Sequence, residues 1–326
     1  MIMKHLLSLL IFCSSVCSIY ALNIDDINIR DPFILNDGNR YYMYCTKDTL
    51  DANGCIRGGV VVYTSTNLKE WKGPSRVLTI PDSNALKGSV WAPEVHKYKG
   101  RYYLFATITS DLKWKKSTEG WPEYTFRGTQ VFHSDSPYGP FVPFRKYPHT
   151  QLDYMALDGT LWVENNVPYM VYCHEWVQLH GDGTMELVEL SEDLSQTIGT
   201  PMVLFNGSAP EWSDGLMISQ GLPKGYITDG CYLYRTKTGR LLMIWSSFNH
   251  GNYAIGISES ITGSVKGPWK HQDIPLFPDN GGHGMIFKTT DGQLCLVLHQ
   301  PNNPSGAERA RIFYLEDCGN TLKLKK

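Results

Sequence analysis

Five ionisable residues stand at comparable places along a chain of 326 residues: Asp31, Glu94, Asp158, Asp229 and His283. Each heads a short apolar, aromatic-rich run, and they recur every 54 to 71 positions. Four carboxylates and an imidazole on one surface repel each other and resist burial. A purely structural protein gains nothing from such a set. Acid–base catalysis requires it, because crowding lifts one carboxyl group's pKa and keeps it protonated as a general acid while another stays ionised as a base. The set is useful only if the fold brings all five to a common rim.

The elements that must do so are strands. Helical periodicity is nearly absent, and what recurs is an alternating run, a turn and a second aromatic-rich run. Arg30-Asp31-Pro32-Phe33 leads through Asn36-Asp37-Gly38 to Tyr41–Tyr44. Trp91-Ala92-Pro93-Glu94-Val95 leads through Gly100 to Tyr102–Ala106, and Leu157-Asp158-Gly159-Thr160-Leu161 through Glu164-Asn165-Asn166 to Tyr169–Tyr172. Thr228-Asp229-Gly230-Cys231 leads through Lys237-Thr238-Gly239 to Leu241–Trp245, and Gly282-His283-Gly284 through Asp291-Gly292 to Leu294–Leu298. Second hairpins follow, clearest at Val60–Trp71, Gln130–Phe141 and Tyr253–Trp269. Five units of about 60 residues, four strands each, describe an all-β, five-bladed β-propeller formed as a single domain over residues 22–326. In that architecture the inner strands converge on the axis, and their starts share one rim.

Residues 1–21 read as a signal peptide: a basic start at Lys4 and His5, an apolar run from Leu6 to Cys17, and a small-residue site at Ile19-Tyr20-Ala21. The run is too short to span a bilayer. Neither Cys13 nor Cys17 follows a small residue (Phe12 and Val16 precede them), which argues against a lipid anchor. A secreted or periplasmic protein, monomeric and with no membrane span, is expected. A net charge of −2 offers no footprint for nucleic acid or anionic lipid. Beyond the leader lie Cys45, Cys55, Cys173, Cys231, Cys295 and Cys318, none in a Cys-x-x-Cys pair, which argues against zinc and redox motifs. A Cys45–Cys55 bridge is possible in an oxidising compartment, but small apolar packing residues are the simpler reading.

Glycoside hydrolysis by inversion needs an acid, a base and a gap of roughly 6.5–9.5 Å for water, which acids on different blades across a funnel can provide. The chain beyond the leader resembles glycoside hydrolase family 43 throughout. The resemblance is carried by Arg30-Asp31-Pro32-Phe33, Trp91-Ala92-Pro93-Glu94-Val95, Leu157-Asp158-Gly159-Thr160-Leu161 and Gly282-His283-Gly284 in this order, one per blade. It implies an oligo- or polysaccharide substrate, Asp31 as the general base, and Asp158 as the aspartate that orients the acid and modulates its pKa. It implies that His283 lies near a water-coordinated calcium or sodium ion on the axis.

The general acid departs from the family, whose members carry Glu-Gly-Pro where this chain has Asp229-Gly230-Cys231. An aspartate is one methylene shorter and would hold its proton back from the glycosidic oxygen. Glu211, in Ser208-Ala209-Pro210-Glu211-Trp212 on the loop into the fourth blade, is therefore the preferred acid and Asp229 the alternative. Phe33, Trp91, Trp176, Trp212 and Tyr253 are candidate pocket aromatics, with Trp91 and Trp212 favoured as sugar contacts and Glu94 placed near the sugar. The resemblance tilts towards an α-L-arabinofuranosidase, with β-xylosidase, β-D-galactofuranosidase and endo-arabinanase as related alternatives. A non-catalytic glycan-binding propeller and a retaining fructan-cleaving relative are the competing classes.

Overall fold

The computed structural model describes residues 21–115, 121–217 and 222–325. The expected leader, residues 1–21, lies outside the described residues except for Ala21. Apart from one helical turn at Ile24–Asp26, the regular elements are strands.

Five antiparallel sheets follow in chain order. Blade 1 holds Phe33–Asp37, Arg40–Thr46, Gly59–Ser65 and Glu70–Thr79, with Leu22–Asn23 added to its outer edge. Blade 2 holds Ser89–Tyr98, Arg101–Lys115, Tyr124–Ser134 and Val142–Pro143; blade 3 holds Ala156–Glu164, Val167–His174, Thr184–Leu190 and Thr197–Asn206. Blade 4 holds Asp229–Arg235, Leu241–Asn249, Asn252–Ser260 and Trp269–His271; blade 5 holds Gly282–Lys288, Leu294–Gln300, Arg309–Asp317 and Leu322–Leu324. The inner hairpins use the turn chemistry their sequences supply: Asn165 and Asn166 take φ of 53° and 64°, the left-handed pair that a two-residue hairpin turn demands.

A single sheet cannot bury both of its faces, so the core lies between blades. One apolar cluster joins blade 1 to blades 2 and 5, and separate clusters join blades 2 and 3, 3 and 4, and 4 and 5. The ring closes where the N-terminal segment crosses to blade 5. There Asn28 Nδ2 donates to the carbonyls of Gly306 (2.8 Å) and Glu308 (3.0 Å), and the Ile29 amide donates to Glu308 O at 3.2 Å. The six cysteines are all free; Cys45, Cys173, Cys231 and Cys295 are buried as packing residues, so the possible Cys45–Cys55 bridge is not formed.

Trp245 lies within the apolar cluster between blades 3 and 4. It is fully buried, packs on Trp212 (5.0 Å between centroids) and Phe205 (5.4 Å), and donates Nε1–H to Ser258 Oγ at 2.9 Å. Trp245→Ala should lower the unfolding free energy by about 3–5 kcal/mol, read as a fall in the urea midpoint with an unchanged slope. A loss below about 1 kcal/mol would show that this interface collapses around the gap.

Candidate active site

Every inner strand begins with one residue in the left-handed region, at the same structural position in each blade: Asp31, Ala92, Asp158, Gly230 and His283, with φ of 50°, 43°, 56°, 49° and 50°. Directly after it the pairing with the middle strand slips, between Trp91 and Glu94, Leu157 and Thr160, Asp229 and Tyr232, and Gly282 and Met285. In blade 1 the ladder starts only at Phe33. Such a bulge breaks the two-residue alternation and re-aims side chains at the strand end. Non-glycine residues held there cost about 1–3 kcal/mol each and persist only where their surroundings enforce them.

The enforcement comes from the preceding blade. The middle-strand residues opposite the pre-bulge positions are Thr107, Cys173, Ser246 and His299 in blades 2 to 5, and Thr46, two residues past the partner of Phe33, holds the matching place in blade 1. Thr107 Oγ1 accepts from the Asp158 amide (2.8 Å), Ser246 Oγ from the His283 amide (2.8 Å) and His299 Nδ1 from the Asp31 amide (3.3 Å). Blade 3 has a cysteine at this position, and there the Asp158 carboxylate takes over, its Oδ2 accepting from the Gly230 amide at 3.1 Å. Thr46 reverses the pattern and donates to Val90 O at 2.8 Å.

Asp31, Asp158, Asp229 and His283 therefore meet at the floor of a cavity of about 640 Å³. His283 Nδ1 stands 3.4 Å from Asp31 Oδ1 and 3.7 Å from Asp158 Oδ2. His299, fully buried, sits 3.0 Å from Asp31 Oδ1. Burial alone would raise Asp31, but the adjacent His283 and, after it, Arg30 hold it below the usual carboxylate range. Asp229 moves the other way. Burial first, then the charge of Asp158, push it up to about 7, against the opposing pull of His283 and the 3.0 Å hydrogen bond that Tyr253 Oη donates to its Oδ2. Burial and the charge of Asp31 also raise Asp158.

The cavity walls pair apolar faces with a few polar groups, as sugar sites do. Trp91, Trp176, Tyr253 and Phe248 line it beside Arg30, Arg127, Glu175 and Asn302. Trp91 is 39% exposed, as a stacking residue must be. Arg30 donates to Glu308 Oε1 at 3.1 Å and to Asn302 Oδ1 at 2.7 Å, tying the segment that carries Asp31 to blade 5.

Other expected residues lie elsewhere. Glu94 sits two positions past the blade 2 bulge, buried in the shaft and bonded to His96 Nε2 at 2.8 Å, so it does not line the cavity. Phe33, the equivalent position in blade 1, packs on His96 and lines the opposite mouth of the axis. Trp212 is buried against Trp245, and its ring fills the space over Gly256, where a Cβ would come within 2.1 Å of it. That anchor leaves the neighbouring Glu211 exposed and outside the cavity lining. Among the described residues no three His, Cys, Asp or Glu side chains are grouped as direct metal ligands, and His283 turns Nδ1 towards Asp31 and Asp158. Sequence reasoning missed Arg127, Glu175 and His299. The lone arginine in the strand Tyr124–Ser134 was a visible signal; the histidine ending a middle strand was a weaker one.

The sequence model of glycosyl hydrolases family 43 matches residues 24–316. A solved endo-arabinase from Bacteroides thetaiotaomicron superposes with a TM-score of 0.76 at 35% identity, covering 90% of this chain and 96% of that one. Among curated proteins, an α-L-arabinofuranosidase of Humicola insolens is 20% identical over 71% of this chain and 49% of its own length. An extracellular exo-α-(1→5)-L-arabinofuranosidase of Cellvibrio japonicus is 23% identical over 29% of this chain and 26% of its own. The chain thus spans half or less of the curated relatives it matches. No helix among the described residues is long and apolar enough to cross a membrane. A five-bladed propeller whose rim gathers three aspartates, matched by this family model over nearly its whole described length, belongs to glycosyl hydrolases family 43.

Proposed function

We propose that this chain is an exported hydrolase of α-L-arabinofuranosidic bonds that acts by inversion, with Asp31 as base and Asp229 as acid. The observation that carries the reading is the opposite displacement of these two carboxyl groups within one cavity, Asp31 downward and Asp229 to about 7. Titratable groups whose surroundings push them apart mark base and acid. Ionised Asp31 takes a proton from water as the water oxygen attacks the anomeric carbon. Asp229 delivers its proton to the departing glycosidic oxygen, so the C–O bond breaks without releasing an alkoxide. Asp158 holds the Gly230 amide beside the acid, and burial next to this second carboxyl group keeps Asp229 protonated. This choice places Asp229 ahead of Glu211, whose exposed carboxylate lies outside the cavity lining.

The arabinose assignment draws on the relatives, whose names include two arabinofuranosidases and one endo-arabinase. Endo action on arabinan is the second reading, favoured by the 35% identity to an endo-arabinase. Release of arabinose alone from an α-1,5-linked arabino-oligosaccharide would support exo action; a ladder of shorter oligomers would support endo action. Proton NMR of the first-formed sugar should show the inverted anomer, and a retained one would replace the base role of Asp31 with a nucleophile.

Asp31→Asn should lower kcat about 10³-fold or more while the protein stays folded; retention of a tenth of the activity would remove its role. For the acid, Asp229→Asn should abolish cleavage of a natural disaccharide yet largely spare a dinitrophenyl glycoside, whose leaving group needs no proton. Glu211→Gln should leave both rates within about threefold, and the reverse pattern would move the acid to Glu211. Because the acid must be protonated, kcat/KM for the disaccharide should fall as pH rises through about 7. On the acid side, activity should persist to below the usual carboxylate range, since Asp31 stays ionised there. The Asp229→Asn variant should also melt no lower than wild type at pH 8. Its folded pKa is raised, so the ionised carboxylate destabilises the fold above that value, and removing it relieves the strain.

A further inference from the structure

Arg127 is an unexpected residue to find in the wall of this site. It lies on the third strand of blade 2, bridged by its backbone to Met155 at the entry to blade 3. Its side chain is 9% exposed, and its guanidinium lies 4.2 Å from the centroid of Trp91. Nε–H donates to Thr109 Oγ1 at 3.0 Å, and Nη1 forms an ion pair with Glu175 Oε2. Nη2 has no partner among the described residues, yet it is not among the sealed polar atoms of the interior, and Arg127 lines the cavity. A buried guanidinium with one nitrogen left open towards a sugar-sized cavity calls for an oxygen acceptor.

Glu175 is held as firmly. Its amide donates to Met155 O at 2.9 Å. The preceding His174 is stacked on Tyr154 at 4.2 Å and bonded to Glu186 (2.9 Å) and Gln178 (2.8 Å). The pair is therefore a fixed fixture, and Trp91 gives it an aromatic face. Its location follows from blade order. With the base on blade 1 and the acid on blade 4, attack and departure run along a line that leaves blade 5 on one side and blades 2 and 3 on the wider one. The ring of the glycone, with its hydroxyls, must extend to that wider side, where Trp91, Arg127 and Glu175 stand.

We propose that Arg127, backed by Glu175 and lying against Trp91, is a specificity-determining residue that donates a charge-assisted hydrogen bond from Nη2 to a ring hydroxyl of the cleaved sugar. The inference rests on the assignment of Asp31 and Asp229. Glu175 fixes the fork of the guanidinium and pairs with its charge. A neutral polyhydroxylated sugar fits the wall; with five carboxylates and two guanidinium groups lining the cavity, an acidic sugar does not.

The test measures kcat and KM for wild type, R127M and R127K on three 4-nitrophenyl glycosides: α-L-arabinofuranoside, β-D-xylopyranoside and β-D-galactofuranoside. The glycoside wild type prefers is then compared with its monodeoxy analogues. R127M should lose about 10- to 100-fold in kcat/KM on the parent but no more than about threefold on the one analogue that lacks the hydroxyl Arg127 holds. R127K keeps the charge without the fork, and should show the same contrast at smaller size if R127M fails to fold. An equal loss on the parent and on every analogue, or no loss at all, overturns the proposal. A wild-type preference for the xylopyranoside or galactofuranoside would overturn the arabinofuranoside reading instead, with the deoxy comparison still decisive on the preferred sugar.

Discussion

A backbone amide at the start of each inner strand must find an acceptor, because the bulge removes it from its own sheet's ladder. In three of the five blades a side chain from the end of the preceding blade's middle strand supplies it: Thr107, Ser246 or His299. This contact does two things at once. It locks adjacent blades in angular register, and it holds Asp158, His283 and Asp31 in the left-handed conformation that aims them at one another. Where the middle strand ends in Cys173, no good acceptor exists, and Asp158 fills the role with its carboxylate. Asp158 is thus also part of the joint on which Asp229 is mounted.

The electrostatics follow from that geometry. Three aspartates forced within reach of one histidine cannot all ionise, and their surroundings sort them. Asp31 has His283 and Arg30 beside it, so it remains an anion. For Asp229, burial and the neighbouring Asp158 outweigh His283 and a tyrosine hydroxyl, so it keeps its proton to about 7. Crowding that would be a defect in an inert propeller gives this rim an ionised and a protonated carboxyl group at the same pH. The aromatic and guanidinium wall between blades 2 and 3 supplies what the carboxylates do not, a shaped and partly apolar surface for the sugar.

Much of this was legible in the sequence, for identifiable reasons. The turn residues, the period and the aromatic-rich second strands specify the blades, because each encodes a local conformation. Asp31, Asp158 and His283 fall where the repeat puts them. Glu94 and Phe33 do not, because a bulge shifts the alternation by a residue and leaves no mark when its left-handed residue is an ordinary one such as Ala92. Glu211 was placed from chain order, which says where a loop ends but not how it folds. The gap over Gly256 that captures Trp212 and turns Glu211 outward is formed by strands forty residues away. Arg127 and Glu175 come from a third strand and a loop, positions that no single repeat shows to be near the axis.

The central claim is that one bulged rim sets Asp31 and Asp229 to opposite protonation states. It can be read without substrate, by labelling aspartate side chains with ¹³C and following the carboxyl shifts with pH, assigned through the Asp31→Asn and Asp229→Asn variants. The account predicts that Asp229 titrates with a midpoint near 7 while Asp31 stays ionised to below the usual carboxylate range. Midpoints for both in the ordinary range near 4, or a raised Asp31 beside a normal Asp229, would contradict it.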